Sequence, residues 1–139
     1  MYTGLVHATD VAGRRSRPHM PGYGVPTSAK GMLEWSYVDT RLERARHYWV
    51  ATTDADGRPH SVPVDGVWLE PSLYFGGGDT RWVRNLRANP RVAIHLESSD
   101  DVVIVEGAVA FVDGPATLLA KLATASNATY GFGYLGPCW

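Results

Sequence analysis

The sequence has only one cysteine, Cys138, among its 139 residues. A disulfide framework is therefore excluded, and the composition favours a reducing compartment. No apolar run approaches the roughly 20 residues that a membrane-spanning helix needs. The N-terminal segment also lacks the apolar core of a secretory signal. These absences predict a cytoplasmic protein without a membrane partner.

The sequence also lacks a charge imbalance and the common catalytic and metal-binding motifs. Thirteen basic and 14 acidic side chains give a net charge of −1, which indicates no nucleic-acid partner. The five histidines show no ligand spacing such as HxxxH, so no metal site is expected. There is no GxSxG elbow and no carboxylate pair of the glycosidase kind. No catalytic residue is named from the sequence.

The chain length fits one domain, which we assign to residues 35–139. The preceding residues, 1–34, include the Gly-, Pro- and Arg-rich run "GRRSRPHMPGYGVPTSAKG" and predict an extended arm, with a disordered tail as the alternative. Apolar residues then recur at helical spacing, which predicts a first helix with a weak capping-box signal at Ser36.

Three runs, "YWVATT", "RPHSVPVDGVWLE" and "LYFGGG", predict a β-meander. Asp56 and Gly57 are a strong hairpin signal between the first two runs. Pro63 lacks a backbone N–H, so its strand is an edge strand, a bulge or a broken ladder.

The second half of the chain continues the pattern of strands and helices. "TRWVRNLRAN" predicts a short helix that is capped by Asp79 or Thr80 and stopped by Pro90. Two further strands, "RVAIHLE" and "DVVIVEGAVAFVD", precede a helix over "GPATLLAKLATASNATYG", with Pro115 placed near its start. Antiparallel strands in so short a chain predict a mainly β fold with flanking helices, a small barrel rather than a parallel α/β sheet.

The stretch "GGGDTRWVRNLRANP" raises the possibility of an anion site. A helix that begins directly after a glycine run presents unpaired N–H groups and partial positive charge to a phosphate. Thr80 adds a hydroxyl donor, and Arg81 and Arg84 lie on a similar face of the helix. The alternative is a glycine-rich turn with surface arginines. The stretch lacks the GxGxxG order of a dinucleotide-binding fold.

The order "WVATTDADGRPHSVPVDGVW", "LYFGGGDTRWVRNLRANPRVAI" and "VVIVEGAVAFV" resembles the split-barrel flavoprotein family of pyridoxamine 5′-phosphate oxidase and the flavin/deazaflavin oxidoreductases. The most specific piece is "TRWVRNLRANPRV", which is similar to the family's phosphate-binding segment. The resemblance covers about residues 36–130. It implies an FMN-binding split β-barrel and a homodimer with two flavin sites at the subunit interface.

The resemblance also assigns site residues, all of them cofactor-binding. Thr80, Arg81 and Arg84 match the phosphate segment, and Asn85 matches it by type while also suiting a turn or packing role. The strand residues that it places beside the flavin ring are His60, Ser61, Val62, Pro63, Phe75 and Gly76. Trp82 stands where the family usually has lysine, which puts an aromatic plane at the phosphate segment or an indole across the dimer. The chain ends at "YGFGYLGPCW", so the presence of the last barrel strand stays open.

In such a protein the cofactor carries the chemistry and the chain supplies binding and orientation. The resemblance therefore implies an oxidoreductase that transfers a hydride between flavin N5 and an unidentified small molecule. FMN is the first choice of cofactor, and the 8-hydroxy-5-deazaflavin coenzyme is the alternative. A non-catalytic flavin or haem binding protein, acting as carrier or sensor, is the alternative function.

Overall fold

The computed structural model describes the backbone of residues 3–7 and the segment 15–131. The elements in these ranges are β1 (Thr3–His7), α1 (Trp35–Arg44), β2 (His47–Thr53), β3 (Pro59–Asp65), β4 (Val67–Leu69), β5 (Ser72–Gly76), α2 (Arg81–Ala88), β6 (Arg91–His95), β7 (Ile104–Val112) and α3 (Ala116–Tyr130). The predicted order of helices and strands is confirmed from α1 onward. The runs predicted to form a meander instead form two hairpins, β2–β3 and β4–β5, which do not pair with each other in the described sheet. None of the helices in the described segment is long and apolar enough to cross a membrane.

The strands form one antiparallel sheet in the order β3-β2-β6-β7-β1-β5-β4. The long strand β7 is shared by two halves of this sheet: residues 104–108 pair with β6, and residues 109–112 pair with β1. β3 in one half also contacts β5 in the other, so the sheet curves around a core. No ladder joins the edge strands β3 and β4 within the described residues. The predicted mainly β, split-barrel fold is confirmed, with the two edges left open.

The core lies inside the curved sheet and beneath α2. Alternate residues of β2 face it, because successive side chains of a strand point to opposite faces. Tyr48 and Val50 are buried there together with Phe75, Leu86 and Ile94 from β5, α2 and β6. This packing fixes α2 against the sheet, with its N-terminus at the end of β5.

Pro63 lies in an edge strand, since β3 pairs only with β2 in the described sheet. The missing N–H of proline is therefore tolerated. The run "RPHSVPVDGVWLE" is not one strand, however, because Gly66 separates β3 from β4. The hydroxyl of Tyr130 accepts a hydrogen bond from the Gly66 N–H at 2.9 Å and lies 2.8 Å from the Gly66 carbonyl. A Cβ atom at Gly66 would lie 3.0 Å from the ring of Tyr48, so a larger residue at the break would press on that ring.

The start of α1 differs from the prediction. The helix begins at Trp35 without a side-chain cap, and Ser36 lies inside it, so the predicted cap is wrong. Two indole N–H groups instead hold this end of the molecule together. Trp35 donates to Glu70 and Trp68 donates to Asp39, each at 2.7 Å. These partners are distant in sequence, which explains why a local capping pattern did not reveal the helix start.

The last helix agrees with the prediction. α3 runs over Ala116–Tyr130, with Pro115 at its N-cap. It ends at Gly131, which has a φ of +69°. A left-handed residue after the last turn is a common helix ending, and glycine adopts it without strain. The question of a final strand falls on residues 132–139, outside the described residues.

The N-terminal region contains a strand where an arm was expected. Residues 3–7 form β1, which lies between β5 and β7 and connects the β4–β5 hairpin to β7. Residues 15–33 form a loop that Arg17 holds together, because its guanidinium donates to the carbonyls of Ser28 and Lys30 at 2.6 Å and of Pro26 at 3.3 Å. The loop surrounds a cavity of about 420 Å³. Arm and domain boundaries at residue 34 stay a prediction.

Candidate functional site

The β5–α2 turn brings a helix N-terminus to the edge of the core. β5 ends at Gly76, and α2 begins at Arg81 with Thr80 as its N-cap. Thr80 is exposed, and its hydroxyl makes no capping hydrogen bond. The first-turn N–H groups of a helix carry partial positive charge. A hydroxyl donor and a positive helix end therefore lie together at this turn, which is the donor set that a phosphate takes.

Two arginines of α2 flank this turn, and each faces a carboxylate. The side chain of Arg81 is 57% exposed, with a guanidinium nitrogen 3.9 Å from Oδ2 of Asp54. Arg84 binds Asp79 in a two-point ion pair, with its Nε 2.6 Å from Oδ1 and a terminal nitrogen on Oδ2. Arg81 is thus loosely held, whereas Arg84 is fully engaged with Asp79.

Both carboxylates at this turn stay ionised well into the acid range. The backbone N–H of Arg58, with that of Asp56 and the Arg58 guanidinium, holds the pKa of Asp54 below its ordinary value against the opposing effect of burial. The hydrogen bond from Arg84 lowers the pKa of Asp79 in the same way. The sequence did not point to either acid as a partner of the arginines. Their pairing depends on how the β2–β3 hairpin and α2 meet.

Trp82 lies in the core. It is 6% exposed, and its ring meets that of Phe75 edge-on at 5.4 Å between centroids. Gly77 makes this possible, because a Cβ atom there would lie 2.5 Å from the indole. Trp82 is therefore a packing residue of the core. Phe75 is fully buried beside it.

The strand predicted to lie beside a cofactor ring, β3, has no fully buried residue. Ser61 and Pro63 are exposed, while His60 and Val62 are half-buried on the opposite face. The outer face of β3 is therefore exposed. Its outer edge is also open, because β3 pairs only with β2 among the described residues. The four residues lie on one strand as predicted, with their backbone at the edge of the sheet.

A buried hydrogen-bond chain ties β3 to α2. The amide of Asn85 donates to Oγ1 of Thr52 at 3.0 Å, and the Thr52 hydroxyl donates to the His60 carbonyl at 3.5 Å. Asn85 and Thr52 are 6% and 3% exposed. The structure thus brings the proposed ring strand and the proposed phosphate helix together through Thr52, which the sequence did not single out. The packing role for Asn85, one of its two predicted roles, is the one seen here.

The outer face of the sheet carries an aromatic row. Register places Pro63, Trp49, His95 and Ile104 side by side across β3, β2, β6 and β7. The rings of Trp49 and His95 stack with centroids 6.1 Å apart and planes 4° apart. Ile104 is 61% exposed. Three apolar side chains beside His95 thus cross four strands of an open face, an arrangement that is typical of an interface.

Groups of three or more His, Cys, Asp or Glu side chains that could hold a metal ion do not occur among the described residues. The described site therefore consists of a helix N-terminus with two arginines, an open edge strand and the Asn85–Thr52 link between them.

The curved antiparallel sheet and the arginine-bearing helix after β5 define a split-barrel protein with a candidate phosphate site. The family model described as pyridoxamine 5′-phosphate oxidase matches residues 37–133. The chain belongs to the pyridoxamine 5′-phosphate oxidase family, which confirms the resemblance. None of the curated proteins matches it significantly.

Solved structures with the same fold include proteins of several kinds. The conserved hypothetical protein Rv2991 from Mycobacterium tuberculosis has a TM-score of 0.65 at 22% identity, over 79% of this chain and 72% of its own. HutZ, the haem storage protein from Vibrio cholerae, has a TM-score of 0.58 at 19% identity, over 72% and 78%. An F420 reductase has a TM-score of 0.52 at 26% identity, over 71% and 80%. These similarities support the fold.

Proposed function

We propose that the protein is a flavin- or deazaflavin-dependent oxidoreductase that acts on a small molecule in the cytoplasm. The observation that carries the proposal is the α2 N-terminus, where Thr80 and the loosely held Arg81 lie within the segment that matches the family model. Their hydroxyl, amide and guanidinium donors fit a phosphate group. FMN is the first choice of cofactor.

Each part of the site has a separate task in this proposal. Thr80 and Arg81 bind the phosphate, and the exposed backbone edge of β3 orients the flat ring. The Asn85–Thr52–His60 chain keeps the two parts at a fixed separation. The bound flavin supplies hydride transfer at N5, while the chain supplies placement and electrostatics.

The deazaflavin coenzyme is the alternative cofactor. The F420 reductase among the solved structures supports it. The buried indole of Trp82 also supports it, because the lysine that the family usually carries there is absent and a phosphate gains no charge from that position. Both cofactors would use the same helix N-terminus.

We also propose that the protein forms a homodimer through the aromatic row of Pro63, Trp49, His95 and Ile104. A two-fold interface brings the same patch from each subunit together. The row begins at Pro63 on the edge strand β3, so a second copy would cover the open side of the proposed ring site. A dimer would therefore complete the pocket as well as bury the exposed Ile104.

A non-catalytic haem binder is the second candidate, and one contact favours it. Nδ1 of His95 lies 2.7 Å from the Leu96 carbonyl, so this nitrogen donates to it. The ring's Nε2 then keeps its lone pair, which is the form that ligates iron. A Soret band after haem addition that is lost in His95→Ala would support this candidate over the flavoenzyme.

The proposed function is tested by titrating FMN and riboflavin, which differ only in the phosphate, into wild type, Arg81→Ala and Arg87→Ala. Arg87 lies at the other end of α2, over the ring of Phe111, and is a control for the charge change. We expect Arg81→Ala to weaken FMN binding by about 2–3 kcal/mol, since charge-assisted hydrogen bonds contribute about that much. Riboflavin binding should not change. Equal loss in both arginine variants would contradict the phosphate role of Arg81.

A further inference from the structure

We propose that Asp79 is a positioning residue that lowers the affinity of the α2 N-terminus for phosphate by holding Arg84 in an internal ion pair. The inference deepens the proposed function and rests on it. It concerns the strength and selectivity of the phosphate site rather than its existence.

In the Asp79–Arg84 pair, the carboxylate of Asp79 occupies the contacts on Arg84 that a bound anion would use. Asp79 engages two nitrogens of the Arg84 guanidinium at once. Carboxylate and phosphate use the same two-point contact with arginine. Asp79 directly precedes the N-cap Thr80, so its charge also lies at the helix end that a phosphate would approach. An incoming phosphate must displace Asp79 from Arg84 or bind without that arginine.

Asp54, the second acid at the site, is held by different hydrogen bonds. Asp54 is 19% exposed, and its Oδ1 accepts the backbone N–H groups of Asp56 and Arg58, each at 3.0 Å. It is therefore fixed to its own hairpin, 3.9 Å from Arg81. Asp79 is 74% exposed in its side chain and is hydrogen-bonded to Arg84, while Arg87 acts on it through charge only. Asp79 is the acid that can release an arginine, and Arg81 is the arginine that is accessible from the start.

The charges explain the expected selectivity. Asp54 is paired with Arg58 at 3.0 Å and Asp79 is paired with Arg84, so Arg81 supplies the positive charge that the site offers a phosphate. A doubly charged phosphate monoester is repelled by Asp79, while an uncharged ligand is not. Asp79 therefore narrows the difference in affinity between FMN and riboflavin.

The experiment compares Asp79→Asn with wild type by fluorescence titration of FMN and riboflavin. We expect Asp79→Asn to bind FMN about three- to fivefold more tightly than wild type does. The gain is small because the exposed Asp79–Arg84 ion pair that it removes is weak. The affinity for riboflavin should not change. Asp56→Asn is the matched control, since Asp56 is 78% exposed and pairs with Arg58 on the neighbouring hairpin. It should leave the FMN affinity near the wild-type value.

A double variant tests whether Asp79 acts through Arg84. In an Arg84→Gln background, Asp79→Asn should give a smaller gain than in wild type, because the arginine that it releases is absent. If Asp79→Asn increases the FMN affinity as much in the Arg84→Gln background as in wild type, Asp79 does not act through Arg84 and the inference is overturned.

The outcomes separate the inference from the proposed function. If wild type binds FMN more tightly than riboflavin but Asp79→Asn changes neither affinity, the inference is overturned and the proposed function stands. If wild type binds neither flavin nor deazaflavin, the proposed function fails and the inference fails with it. If Asp79→Asn binds riboflavin as well as FMN more tightly than wild type does, Asp79 acts on the fold and not on the phosphate, and the inference is overturned.

Discussion

A Cβ atom on Gly77 would lie 2.5 Å from Cζ2 of Trp82 and 2.9 Å from a methyl group of Val83. Real Cβ contacts of that length do not occur, so the glycine is required for the indole to fill the core beside Phe75. The glycine run therefore has a packing role at Gly77, whereas nothing lies within 4 Å of a Cβ at Gly78. Two adjacent glycines have different environments.

Gly77→Ala is expected to destabilise the protein by about 1–3 kcal/mol, the usual cost of overpacking a core. Gly78→Ala is the matched control, because it has open space and its φ lies outside the left-handed region. It should leave the free energy of unfolding nearly unchanged. Chemical denaturation of both variants measures the difference, and equal effects would contradict the packing of Trp82 against Gly77.

Asn85→Ala is expected to cost about 1–3 kcal/mol of stability, because it leaves the buried hydroxyl of Thr52 without its donor. Thr52→Val combined with Asn85→Leu should recover part of this loss, since replacing both partners removes the unsatisfied group. Denaturation of the single and double variants gives the coupling between the two sites. Strictly additive losses would show that the Asn85–Thr52 bond contributes nothing.

Asp54 predicts a pH dependence of stability. Its folded-state pKa lies below its ordinary value, with the Arg58 backbone N–H as the largest cause. A lowered folded pKa contributes stability above the unfolded value, and this contribution is lost as pH falls through the folded pKa. Thermal unfolding between about pH 5 and pH 2 should show a smaller loss of Tm in Asp54→Asn than in wild type. Parallel curves would contradict the assignment.

Ile104→Glu is expected to convert a dimer into a monomer, because it puts a carboxylate on the proposed interface, where Ile104 is 61% exposed in the single chain. Leu33→Glu, at a 56% exposed position in the N-terminal loop, is the control for an added surface charge. Size-exclusion chromatography with light scattering measures the mass of each. A monomeric wild type would rule out the proposed interface.

The sequence predicted the elements whose signals are local. The β2–β3 hairpin with its turn at Asp56 and Gly57, α2 and α3 follow from period-two runs, turn residues and helix ends that lie within a few positions of one another. The Asp54 N–H donates to the Arg58 carbonyl there, and Gly57 has a φ of +79°. Gly is the residue that adopts this conformation without strain.

The features that the sequence did not predict depend on distant residues. β3 ends where Tyr130 binds Gly66, 64 positions along the chain. The place of β1 depends on partners in β5 and β7. The sequence placed Trp82 at the phosphate segment or across a dimer, and its core position depends on the room that Gly77 leaves for it beside Phe75. Long-range packing of this kind leaves no periodic pattern.

The most direct test of the proposed function is a fluorescence and absorbance titration of the wild-type protein with FMN, riboflavin and the deazaflavin coenzyme. We expect saturable binding of FMN or the deazaflavin, with FMN bound more tightly than riboflavin because Thr80 and Arg81 hold its phosphate. Absence of binding by all three would contradict the proposed function, and Arg81 and Arg84 would then serve only their ion pairs with Asp54 and Asp79.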